Sequence, residues 1–435
     1  MTLTSRRTFL KGVAASASAA PFILPSRVWS APTGPNDVVT LGVIGLGAMG
    51  NGLLGRFIQF PEARVVAVCD VDTNHRDAAK KRVDKRYTNS DCAAYSDFRE
   101  IINRKDIDAV VIAPPDHWHA TMTLAALRAG KDVYCEKPLT HNIHEAVEVM
   151  KAVDANKRVL QTGSMQRSMK EFRIACELVR NGVIGRISRV ECSFGGPPKP
   201  CDLSEEPTPK GLDWDLWCGP GPLRAYNAIL FERRWRIYSE YGSGGVGDWG
   251  AHHLDIAQWG LGMDQSGPVE VVPPDNEKAS EGCRLVYASG VHVVHKIGFG
   301  VRFVGEDGEV LVNRGKFQVI LKGETIAGFE SKEKSPGTSC EREVVLMERR
   351  FLEDAKIKLY NSKNHLTDFM ECVRSRKKPN TNEQVGGRSA ICCHLMNQGY
   401  FHHARFKWDP TKFKFTGGTG DPKWLTRDYR RPWLV

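Results

Sequence analysis

The stretch Val38-Val39-Thr40-Leu41-Gly42-Val43-Ile44-Gly45-Leu46-Gly47-Ala48-Met49-Gly50 decides the fold. A β-branched apolar run ends in a G-x-G-x-x-G triplet, Gly45, Gly47 and Gly50, and a helix-compatible segment follows over 51–59. In a strand–turn–helix unit the first glycine permits the tight turn, and the second lets backbone approach a pyrophosphate. The third lets helix and strand pack closely. The helix N-terminus then presents unpaired N–H groups to the phosphates. Ala48 and Met49 belong to the same expected phosphate loop. A second β-branched run over 64–71 places Asp70 20 residues beyond Gly50. A carboxylate there accepts from ribose hydroxyls and repels a 2′-phosphate, which favours NAD over NADP. Arg76 and Lys80 lie close enough in sequence to leave some tolerance for NADP.

Working outward, strand patterns recur at 108–113, closed by Pro114-Pro115, at 133–135, followed by Glu136-Lys137-Pro138, and at 159–162. Helical patterns lie between them at 73–86, 119–129 and 143–156, with Gly130 as a stop. Strands alternating with helices of this length predict a doubly wound parallel sheet, an α/β Rossmann domain over 37–163. From about Arg186 the pattern changes. A strand over 187–194 leads into a Pro-, Gly- and Trp-rich stretch at 195–227, and short apolar runs between 285 and 320 are separated by glycines and charged turns. This predicts an α+β domain over 164–410 with a large, mostly antiparallel sheet. Helices at 365–376 and 386–405 are expected to return and cover it, before a basic aromatic tail at 411–435.

The 435 residues are 41% hydrophobic and 26% charged, which excludes disorder, collagen and coiled coil as the main state. No run of about 18 uncharged apolar residues predicts a spanning helix. The excess of 61 − 51 = +10 basic residues includes Arg6, Arg7, Lys11 and Arg27 near the start, and no basic run marks a nucleic-acid arm. Ser5-Arg6-Arg7-Thr8-Phe9-Leu10-Lys11 followed by the apolar stretch 12–24 is a twin-arginine pattern. It predicts a Tat export signal over 1–31, cleavage near Val28-Trp29-Ser30-Ala31, and a periplasmic mature protein. That compartment permits disulfides among the twelve cysteines. Buried thiols are expected for most, with Cys201/Cys218 and Cys283/Cys340 as candidate bridges.

Four blocks in order resemble the glucose–fructose oxidoreductase/inositol dehydrogenase (Gfo/Idh/MocA) family, in its exported subgroup. They are 45–50, Pro114-Pro115-Asp116-His117-Trp118-His119, 130–138 through Glu136-Lys137-Pro138, and Gly247-Asp248-Trp249-Gly250-Ala251-His252-His253-Leu254-Asp255. The resemblance implies a sugar or cyclitol substrate and a homo-oligomer, a dimer or tetramer. It places the family's catalytic lysine on Lys137 and its D-x-x-x-H pair on Asp248 and His252. It also puts Pro114, His117, Trp118 and Glu136 beside the cofactor. If 247–259 is one helix, the i, i+4 spacing puts Asp248 and His252 on one face. His252 is then the expected base, Lys137 polarises the hydroxyl or carbonyl, and Asp248 orients substrate or Lys137. Asp255 and His253 are the next candidates, and Gln166 is expected to touch cofactor or sugar. Trp214, Trp217, Tyr226, Trp235 and Tyr238 form either core or a sugar-stacking wall. No metal is expected, because His117-x-His119 and His252-His253-x-Asp255 match no zinc spacing. Three functions fit: a dehydrogenase with tightly bound NAD, an NAD-dependent glycoside-cleaving enzyme that oxidises, eliminates and re-reduces, and a non-catalytic sugar or nucleotide sensor.

Overall fold

The computed structural model describes residues 38–330, 340–433 and 435, so the expected export signal lies outside the described residues. Strands β1 (Val39–Ile44), β2 (Ala63–Cys69), β3 (Ala93–Tyr95), β4 (Ala109–Ile112), β5 (Asp132–Cys135) and β6 (Leu160–Thr162) form one sheet in the order 3-2-1-4-5-6. Every pair is parallel. The strands are near-continuous apolar runs because helices cover both faces: Val43 and Val111 enter one core, Ile44 and Ile112 the other. The strand order reverses between β1 and β4, and this opens a crevice at the carboxyl edge. β3 and the helix Phe98–Asn103 have no counterpart in the sequence reading, because a three-residue strand carries too little periodicity to register.

Glycine chemistry sets the turn after β1. Gly45 has φ +81°, a left-handed conformation that a side chain would strain. A Cβ on Gly50 would lie 1.7 Å from the Gly45 carbonyl oxygen, so the helix Ala48–Phe57 approaches the turn only because position 50 is bare.

The second sheet contains β7 (Ile187–Cys192), β8 (Glu270–Val272), β9 (Arg284–Val286), β10 (His292–His295), β11 (Val301–Gly305), β12 (Gly308–Asn313), β13 (Lys316–Leu321), β14 (Glu324–Glu330), β15 (Phe406–Asp409) and β16 (Lys414–Thr416). Their order is 14-13-12-11-7-10-9-8-15-16. Only β7 and β10 pair in parallel. One face is buried under the helices Lys170–Arg180, Gly250–Leu261 and Glu383–His402, with Phe172, Trp259, Phe303 and Leu395 in a shared core. On β11 the alternation is direct: Val301 and Phe303 are buried, Arg302 and Val304 half-buried.

Three expectations change. The helix His365–Ser375 does not cover this sheet; its Leu366, Phe369 and Val373 share a core with Leu41, Leu53 and Phe57 of the first sheet. The tail contributes an edge strand, β16, and then returns to the first domain. There Arg427 donates to Glu145 and to the His117 carbonyl, and Trp433 packs on Trp118. All twelve cysteines are free and buried, so neither candidate bridge forms. Gly50→Ala is expected to cost about 1–3 kcal/mol through backbone overpacking. A urea midpoint matching the parent would refute the close approach.

Candidate active site

A cavity of about 600 Å³ runs from the glycine turn to the helix Gly250–Leu261. Gly45, Gly47, Ala48, Met49 and Asp70 line one end. Asp70 Oδ2 accepts from the Leu46 N–H at 2.6 Å and Oδ1 from the Asp72 N–H at 2.9 Å, which fixes the carboxylate against the turn. Burial raises its pKa, and these two N–H groups oppose that rise. A Cβ on Gly47 would meet nothing within 4 Å, so bare backbone faces open room there. Such an edge fits a dinucleotide pyrophosphate. Gly50 does not line the cavity; its part is the helix–turn packing. Lys80 points away and donates to Asp84 at 2.8 Å and to the Cys92 carbonyl at 2.7 Å. Arg76 bonds Thr73, and neither cation lines the cavity.

At the other end Lys137 follows β5 at the carboxyl edge. Its Nζ donates to Asp248 Oδ1 at 2.5 Å and to the Asp248 carbonyl at 3.0 Å. Arg236 Nε lies 3.5 Å from the same Oδ1. Burial would raise the Asp248 pKa, but Lys137 and Arg236 outweigh it and hold the carboxyl below its ordinary range. The expected single helix over 247–259 is two, Gly244–Asp248 and Gly250–Leu261, interrupted at Trp249. Trp249 keeps right-handed helical dihedrals, φ −85° and ψ −30°, so the chain direction holds and His252 still faces the cavity with Asp248. Burial first, then the charges of Lys137 and Arg314, push the His252 pKa well below the ordinary imidazole value. The ring is therefore neutral, and its Nδ1 has no hydrogen-bond partner among the described residues. Pro114, Trp118 and Glu136 also line the cavity. Glu136 is raised by burial, and Asp116, whose Oδ2 accepts from the Ser243 N–H at 3.2 Å, is pushed up to about 7 by burial.

Two expected contacts do not reach the cavity. His117 is fully buried, with Nε2 3.0 Å from the Trp217 carbonyl and Nδ1 3.2 Å from the Tyr241 carbonyl. Burial pushes its pKa down to about 3, so the neutral ring carries one proton and bonds one of these carbonyls at a time. It fastens the helix Asp116–Arg128 to the aromatic insert. Gln166 is buried in the turn Met165–Ser168, and its neighbour Met165 lines the cavity instead. Of the two next candidates, Asp255 is held by Arg167 in a buried ion pair at 2.8 Å, and His253 Nδ1 sits 2.5 Å from the Ser193 carbonyl. Trp217 and Trp235 line the cavity; Trp214 stacks behind Trp217 at 4.4 Å, and Tyr226 and Tyr238 join that core. The sequence reading missed Arg236, Trp249 and Arg314 as lining residues. Trp235-Arg236 offered a cue in its aromatic–basic pairing; Arg314, in a hairpin turn, carried none.

Residues 39–164 match the family model for the Gfo/Idh/MocA "Oxidoreductase family, NAD-binding Rossmann fold", and residues 198–300 match the model of its "C-terminal alpha/beta domain". Inositol 2-dehydrogenase of Rubrobacter xylanophilus is 34% identical over 155 residues, 35% of this chain and 42% of that protein. Glycosyl hydrolase family 109 protein 2 of Shewanella sp. strain ANA-3 is 30% identical over 162 residues, 36% of this chain and 35% of that protein. The matches thus span less than half the length of these relatives. Among solved structures, levoglucosan dehydrogenase with NADH and levoglucosan superposes with TM-score 0.55 at 19% identity, covering 85% of this chain and 99% of that one. The aldose–aldose oxidoreductase of Caulobacter crescentus gives 0.56 at 18%, covering 85% and 99%. At such identities these likenesses establish the fold.

His117→Ala is expected to lower stability by about 1–3 kcal/mol, because the ring's hydrogen bond and its packing against Trp217 and Tyr241 are lost, although Trp118 Nε1 still donates to the Trp217 carbonyl. NAD affinity should stay at the parent level, as read by titration of nucleotide fluorescence. A selective loss of affinity with unchanged stability would return His117 to the cofactor site.

Proposed function

Because the chain belongs to the Gfo/Idh/MocA oxidoreductase family, we propose that it is an NAD-dependent oxidoreductase interconverting a secondary alcohol and a ketone on a sugar, glycoside or cyclitol. The observation that carries this reading is the convergence of Lys137, Asp248 and His252 in the cavity that the glycine turn opens into. Its relatives include an inositol dehydrogenase, and its fold neighbours a levoglucosan dehydrogenase. Asp70 in the cavity, with Arg76 and Lys80 outside it, supports NAD over NADP.

When bound, the nicotinamide supplies the hydride acceptor or donor. The neutral His252 takes the hydroxyl proton. Lys137 donates a hydrogen bond to the same oxygen and stabilises the negative charge that grows there. Asp248 is a positioning residue: its ionised carboxylate holds the ammonium in place. In the reverse direction, an imidazolium beside Lys137 is a strong acid and returns the proton to the carbonyl oxygen. The twin-arginine segment and the scarcity of free nucleotide outside the cytoplasm support export by the Tat route to the periplasm with NAD tightly bound. The open face of the ten-stranded sheet supports a homo-oligomer, a dimer or tetramer. The similarity to glycosyl hydrolase family 109 protein 2 favours a second reading, redox-neutral cleavage by transient oxidation, elimination and re-reduction. Product analysis on a glycoside with substoichiometric NAD separates the two, because only cleavage releases aglycone without net NADH.

Lys137→Ala should lower kcat by about 10²–10⁴-fold while nucleotide remains bound. Equal turnover would remove Lys137 from the chemistry. Because the His252 pKa is lowered, its free base is present at neutral pH, and alcohol oxidation should fall only on acidification below the ordinary value of about 6.5. An acid limb at or above that value, lost in His252→Asn, would show that the ring is not held neutral. Acid release from the purified protein should yield near-stoichiometric nucleotide by absorbance. An empty site that needs millimolar NAD would disprove tight binding.

A further inference from the structure

Lys137, Arg236 and Arg314 all face the reacting end of the cavity. Asp248 answers the first two, at 2.5 and 3.5 Å. Arg314, in the turn between β12 and β13, has no comparable partner. Its guanidinium makes no hydrogen bond or ion pair among the described residues, and its Nε is buried and unpartnered. Among the described residues its guanidinium packs on Trp249, with Cζ 4.8 Å from the ring centre. The same indole lies 6.0 Å from the His252 ring, and Arg314, Trp249 and His252 line the cavity together. Nearby acids do not cancel the charge by contact. Glu171 accepts from the Gly315 N–H at 3.4 Å outside the cavity, Asp116 accepts from Ser243, and Glu136 faces Tyr134 and Gly163. Glu232 pairs with His75 at 3.4 Å, toward the Asp70 end.

A planar guanidinium with its terminal nitrogens unbonded matches a carboxylate in bidentate fashion. We propose that the substrate is an acidic sugar, a uronate or its glycoside, whose carboxylate is taken by Arg314 while a secondary alcohol of the same ring meets Lys137 and His252. This rests on the oxidoreductase reading above. The carboxylate is a spectator: the carbinol carbon loses a hydride to NAD, its hydroxyl loses a proton to His252, and a ketone forms. Arg314 thus sets specificity from the second sheet, whereas Lys137 and His252 carry the chemistry.

The test compares D-glucuronate with D-glucose and D-galacturonate with D-galactose on the purified full chain, by NADH fluorescence. The expected kcat/KM favours each acid by about 10–100-fold, the range for a hydrogen bond to a charged group. Arg314→Gln should erase that preference by raising KM for the acid, and Arg314→Lys should restore part of it. If no sugar in the panel turns over, quenching of bound NADH by the same pairs reads the preference as binding. Equal use or binding of acid and neutral sugar, a preference that survives in Arg314→Gln, or stronger use of D-glucose 6-phosphate than of D-glucuronate would each overturn the proposal. Turnover of neutral sugars alone overturns it and leaves the oxidoreductase reading standing. A chain that binds no nicotinamide nucleotide defeats both.

Discussion

The site depends on one ionic hydrogen bond. Lys137 sits where the parallel sheet ends, Asp248 where a short helix of the second domain ends, and the ammonium meets the carboxylate at 2.5 Å. Both groups are largely shielded from water, so each is costly without the other. The contact joins the carboxyl edge of the first sheet to that helix at one crevice, and His252, one helical turn past Asp248, faces the same cavity. An ammonium so placed also raises the cost of a proton on His252, which keeps the imidazole in its basic form. One interaction therefore sets position and adds to what burial does to protonation.

The loop that bears Lys137 is itself pinned. His119 stands between the Pro114 carbonyl at 2.9 Å and the Pro138 carbonyl at 2.6 Å, at the ends of β4 and β5, and its neutral ring donates to one of them at a time. Asp116, one turn earlier on the same helix, accepts the Ser243 N–H just before the helix that ends in Asp248. The first turn of Asp116–Arg128 thus serves as a hub. It carries Trp118 into the cavity wall and turns His117 inward to hold the aromatic insert.

The tail reinforces that hub from the far end of the chain. Arg427 reaches the His117 carbonyl at 2.7 Å and the buried Glu145 carboxylate at 2.9 Å. Tyr429 also donates to Glu145, at 3.0 Å, and Trp433 meets Trp118 edge-on at 4.9 Å. A segment with little regular structure of its own therefore stiffens the wall beside the phosphate loop. Deep in the second domain, Arg167 does comparable work between Asp255 and Asp264, which explains why Asp255 is structural although it lies close to His252 in sequence.

What the sequence determined by itself was local in origin. The apolar runs, the helix stop at Gly130, the bare positions at Gly45 and Gly50 and the acid at Asp70 follow from turn chemistry and periodicity within a few tens of residues. They suffice for a doubly wound sheet with a phosphate loop at its edge. The motifs around Lys137, Asp248 and His252 nominated residues that do lie together in the cavity. The tertiary structure decided what depends on distant partners. It paired ten short strands whose runs leave their order open, and it sent His365–Ser375 to the first sheet's core. It also turned His117 and Gln166 away from the cavity and brought Arg236 and Arg314 into it. Which way these side chains face is set by contacts outside their own elements, such as His117 with Trp217 and Tyr241 or Arg314 with Trp249, and no local pattern encodes them.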